Sequence, residues 1–114
     1  MLNILIVNCF LLLLGTVTDE KWKLPSEKEQ EKANQTIREL FKEEFASSAP
    51  AVKAELAIKL FNIATDTNDD PAGKYVLLRE AALLAADNNV PLTLRACDEL
   101  IKRYEGTKAA LLEP

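Results

Sequence analysis

The chain has 114 residues, a net charge of −4 and no histidine. That length allows one domain, the acidic balance gives nucleic acid no basic face, and the commonest general base and metal ligand is missing. With 48% hydrophobic and 28% charged residues but only 3 Gly and 5 Pro, the composition suits an all-α fold better than a many-turned β fold.

Residues 1–18 carry no charged side chain, and Phe10 to Leu14 read FLLLL before Gly15 and Thr16. This is the pattern of a signal-peptide apolar core followed by small residues, so the chain reads as exported: periplasmic, extracellular or at the cell surface. The competing reading is an uncleaved anchor, although the run is short for the roughly 20 residues of a span. Cys9 falls in this leader. Export then leaves Cys97 alone, and it projects onto the apolar arc of its helix as a small core hydrophobe.

Residues 19–25 form a linker in which Trp22 and Leu24 are placed to staple the chain to the domain. Ser26 with Glu29 three residues on is a capping box, which starts a first helix. Ala33, Ile37, Leu40, Phe41 and Phe45 recur at spacings of three and four and define one buried face. The charged first half of this helix reads as a solvated overhang. Asn34-Gln35-Thr36 matches a glycosylation sequon, but it falls inside the helix.

Ala46 to Ala49 breaks the pattern, and Pro50 opens a second helix in its first turn. Val52, Leu56, Ala57, Leu60, Phe61, Ile63 and Ala64 give it a wide apolar arc. Asp66, Asn68 and Asp70 stand at the first three ligand spacings of an EF-hand loop. The match then fails, because Pro71 takes the place of Gly and Leu77 that of the bidentate Glu. Asp70 reads instead as the N-cap of a third helix, with Pro71 at N1.

Tyr75, Leu77, Leu78, Ala81, Ala82, Leu84, Ala85 and Ala86 make the third helix, Pro71 to about Asp87, apolar over roughly half its surface. It should be the most buried. Val76 and Leu83 point to its far side, and Arg79, Glu80 and Asp87 mark a polar edge. Asn88-Asn89 turns the chain. A fourth helix then places Ala96, Cys97, Leu100, Ile101 and Tyr104 on one side, and Gly106 ends it. The expected architecture is four antiparallel helices over residues 26–106, as stacked hairpins or a small bundle, with a tail at 107–114.

Tyr75, Leu78, Ala82 and Ala85, then Asn88-Asn89, then Leu94, Leu100 and Tyr104 resemble a degenerate tetratricopeptide-type hairpin. Over about residues 37–105 the chain also resembles a helical segment of exported planctomycete-type bacterial proteins. The stretches that carry this likeness are Leu40–Ala46, Asp69–Ala85 and Leu94–Glu105. The resemblance implies a helical module that accompanies extracytoplasmic domains, and it brings no catalytic residues.

No catalytic, cofactor-binding or metal-binding constellation is read from the sequence. Glu43, Glu44, Glu80, Asp98 and Glu99 are explained as solvated faces or partners of Lys and Arg one turn away. The expected function is a non-catalytic, extracytoplasmic helical module for protein interaction or assembly. Its partner is expected to be a protein and not nucleic acid, with a membrane involved only if residues 1–18 persist as an anchor. Val76, Leu83 and Ile58 are the candidate contact residues. The alternatives are a small apolar-ligand carrier with a pocket between helices two, three and four, and a membrane-tethered spacer.

Overall fold

The computed structural model describes residues 21–105. The leader expected at 1–18, Cys9 within it, and the tail at 107–114 lie outside the described residues. Five helices follow in order: α1 Glu27–Leu40, α2 Lys42–Ala46, α3 Pro50–Asp66, α4 Pro71–Ala85 and α5 Val90–Arg103. The architecture is all-α, with one helix more than the sequence pattern suggests.

The helix starts are set locally. Ser26 Oγ accepts from Glu29 N at 3.1 Å, and Glu29 Oε1 accepts from Ser26 N at 2.9 Å, so the capping box closes in both directions. Asp70 Oδ1 accepts from Gly73 N at 3.0 Å and caps α4. A methyl group at Gly73 would crowd that capping carboxylate, which would have to shift its rotamer to make room. Asn89 caps α5 through Leu92 N at 3.2 Å. Pro50, Pro71 and Pro91 each stand in the first turn of a helix, where no intrahelical donor is lost.

The first helix does not run unbroken to Phe45. Phe41 leaves helical geometry at φ −117°, ψ 37°, and α2 restarts beyond it. The break re-aims the apolar stripe. Ile37 stays buried, Phe41 and Phe45 are half-buried, and Leu40 is 71% exposed.

Helix α4 is the centre. It packs against α1, α3 and α5. Nine of its 15 residues are buried, among them Val76, Leu78, Ala81 and Ala85 with essentially no exposure. Val76 therefore belongs to the core and offers no outer contact, because α4 is covered on more sides than its apolar arc implied. Leu56, Leu60 and Phe61 from α3 and Leu92, Ala96 and Leu100 from α5 complete the core. Each fully buried leucine contributes about 1.5–3 kcal/mol relative to exposure. Helix α1 packs chiefly on α4.

Two charged residues of α4 are also buried. Lys74 donates to Ala64 O at 3.0 Å and to Thr67 O at 3.2 Å, and so caps the carbonyl end of α3. Burial, and then the Arg103 charge, push its amine below the ordinary lysine range. Glu80, which the sequence pattern assigns to a solvated edge, is 6% exposed.

The linker is pinned through Trp22, while Leu24 stays 38% exposed. Trp22 N donates to Arg103 O at 2.8 Å and Glu105 N donates to Trp22 O at 2.9 Å, a single parallel bridge between Trp22 and Tyr104. This pairing draws the chain into extended geometry at Tyr104, so α5 stops before the expected Gly106. Tyr104 is fully buried, edge-on to both Trp22 (5.6 Å) and Tyr75 (5.2 Å). Its hydroxyl donates to Pro71 O at 2.6 Å.

Burial raises the Tyr104 phenol above its ordinary range. A raised folded-state acid binds its proton more tightly than the unfolded chain does. Its stabilisation is therefore intact below about pH 10, the unfolded value, and is lost as pH climbs above it. Tyr104→Phe is expected to cost about 1–2 kcal/mol at neutral pH by orphaning the Pro71 carbonyl. The same change should flatten the decline in stability above pH 10, as followed by urea unfolding at stepped pH.

Candidate functional site

Two regions of the described surface gather several exposed apolar groups. The first is a groove of about 540 Å³ between α1, the end of α3 and the start of α4. Ile37, Leu40 and Phe41 of α1, Ile63 of α3 and Leu77 of α4 form its apolar part. Glu29, Lys32, Thr36, Thr67 and Asp70 stand at its polar rim. Leu40 and Ile63 lie on the apolar arcs of their helices, yet they are 71% and 40% exposed. The groove opens because α1 leans on α4 and leaves the C-terminal turns of α3 uncovered.

A polar seam holds α1 in that position. On one face of α1, Gln30, Asn34 and Arg38 follow at intervals of one turn. Arg79 donates to Gln30 Oε1 at 2.7 Å, Asn34 donates to Glu80 Oε2 at 3.2 Å, and Arg38 donates to Glu80 Oε1 at 3.0 Å. Asn34 Oδ1 in turn accepts from Arg38 Nε at 3.0 Å. The first half of α1 is thus docked through its polar face and is not a free overhang. The sequon amide of Asn34 is committed to Glu80. Arg38 also lays its guanidinium 4.4 Å over the Phe45 ring, which ties α2 to the same seam.

The second region is the turn end of α4 and α5. Leu83, Val90 and Leu94 are 64%, 55% and 63% exposed. Thr93 donates to Ala82 O at 2.9 Å, which joins the two helices at the residues that precede Leu94 and Leu83 in the sequence. Val90 and Leu94, four residues apart, share one face of α5. Of the candidate contact residues, Leu83 and Ile58 (45% exposed) are on the surface, and Val76 is in the core.

Arg103 stacks its guanidinium 4.2 Å over the Trp22 ring, with its Nε buried and without a hydrogen-bond partner among the described residues. Asp70 Oδ1 is engaged in the cap of α4. Among the described residues, no group of three His, Cys, Asp or Glu side chains is placed to hold a metal ion. Cys97 is a free, half-buried thiol whose burial raises its pKa. No described helix is long and apolar enough to cross a membrane. Comparison of the chain with family models, curated proteins and solved structures found no match.

Glu80 is the keystone of the seam, and its loss would leave Arg38 and Asn34 without their acceptor. Arg38 is half exposed, which discounts the usual cost of breaking a buried pair. Glu80→Ala is expected to destabilise by about 2 kcal/mol, lowering Tm by roughly 8–16 °C in a domain of this size. Ile58→Glu, at an exposed position outside the seam and the groove, should leave Tm nearly unchanged in the same calorimetric series.

Proposed function

We propose that this chain is a non-catalytic helical module that binds another protein outside the cytoplasm. The observation that carries this reading is the cluster of Leu83, Val90 and Leu94 at the turn end of α4 and α5. Three large apolar side chains, each more than half exposed, form the kind of patch that marks a partner surface. Asp87 and Arg95, both exposed, supply polar groups of either sign near it. In this reading α4 and α5 act as one tetratricopeptide-like antiparallel hairpin that presents its tip, and the leader at 1–18 delivers the module for export.

A second reading draws on the groove. Its volume lies within the roughly 300–1,000 Å³ of small-molecule sites. A carrier of a small apolar ligand would use Ile37, Leu40 and Ile63, and native mass spectrometry would show that ligand retained on the purified chain. A tethered spacer is distinguished by the N-terminal residue of the mature protein: Met1 for an anchor, a residue near Asp19 for a cleaved leader.

The interaction reading is tested by replacing Leu83 and Leu94 together with glutamate. Both side chains are exposed, so unfolding curves should match those of the wild-type chain. Capture of a specific extracytoplasmic protein should fall at least about tenfold, the equivalent of one hot-spot contact. Capture that is unchanged in the double variant would reject this surface as the binding site.

A further inference from the structure

We propose that the apolar groove between α1, α3 and α4 is the docking site of the chain's own segment Lys108–Leu112. The direction of the chain at Glu105 carries the argument. The Trp22–Tyr104 bridge is parallel, so the backbone leaving Glu105 is aimed the way Lys23, Leu24 and Pro25 run. Those three residues line a recess of about 510 Å³ at the start of α4. The recess shares Glu29, Asp70 and Ala72 with the larger groove, which makes the two one continuous channel. The Tyr104 hydroxyl on Pro71 O fixes this exit to the channel wall, since Pro71 lines the recess.

The reach suffices. Residues 106–114 follow Glu105 in the sequence, and an extended chain covers about 3.4 Å per residue, so Leu111 lies up to about 20 Å beyond Glu105. From Glu29 to Ile37 along α1 is about 12 Å. The chemistry also runs in the same order on both partners. Lys108 precedes Ala109, Ala110, Leu111 and Leu112. Along the channel, acidic Glu29 and Asp70 precede Ile37, Leu40 and Ile63. The segment sets its cation against the acidic entrance and its two leucines against the exposed apolar groups beyond. The groove is then an internal seam of the protein, separate from the turn end of α4 and α5.

Methyl-labelled full-length chain tests this by NMR. Leu111 and Leu112 methyls are expected to give cross-peaks to Ile37 and Ile63 within one molecule. In the full chain carrying L111E and L112E, the Leu40 and Ile63 signals should shift while those of Leu83 and Val90 stay in place. Absence of these cross-peaks with unmoved Ile63 signals would overturn the proposal. So would cross-peaks to Ile63 that arise from residues 2–14, from a differently labelled second copy, or from a copurified apolar molecule.

Discussion

A helix that buries nine of 15 residues needs cover on more than one side, and α4 gets it from α1, α3 and α5. Two of the buried residues are charged, and a charge taken from water must find partners in the protein. Lys74 finds the carbonyl end of α3, and Glu80 finds Arg38 and Asn34 of α1. These contacts dictate where the neighbouring helices sit. Hydrophobic burial supplies most of the stabilisation, but it is non-directional, and the polar contacts of α4 fix the register.

The surface features follow from that placement. Helix α1 is held over the middle of α4, so it cannot also cover the last turns of α3, and a groove opens beside the first half of α4. The Trp22–Tyr104 clasp then closes the same end by bringing the linker, the end of α5 and Pro71 together through one bridge and three aromatic rings. At the other end of α4, the Asn88-Asn89 turn leaves Leu83, Val90 and Leu94 without cover. The molecule therefore has one end shaped as a channel and the other as an apolar tip. The interaction reading draws on the tip.

Local chemistry was legible in the sequence. The caps at Ser26, Asp70 and Asn89 rest on partners three residues away, and the prolines mark helix starts for the same local reason. The primacy of α4 was also legible, because its apolar arc is too wide for one neighbour. Glu80 and Lys74 were not legible. Helical projection sends charges outward, and the partner of Glu80 stands 42 residues away on α1. Val76 was misplaced by the same logic, since the third neighbour of α4 is visible only in three dimensions. The break at Phe41 has no glycine or proline to announce it. The groove could not be read either, because Leu40 and Ile63 look like core until the lean of α1 exposes them.

Helix α4 is the element on which α1, α3 and α5 all depend. Native-state hydrogen exchange along the full chain tests this dependence, because each helix reports its own opening free energy. Amides of Val76 to Ala82 should exchange only through global unfolding. Those of α1 should exchange through a smaller opening that leaves α3, α4 and α5 protected. Exchange in α4 that is faster than in α1 or α5 would contradict the account, because a helix at the centre cannot open before those that cover it.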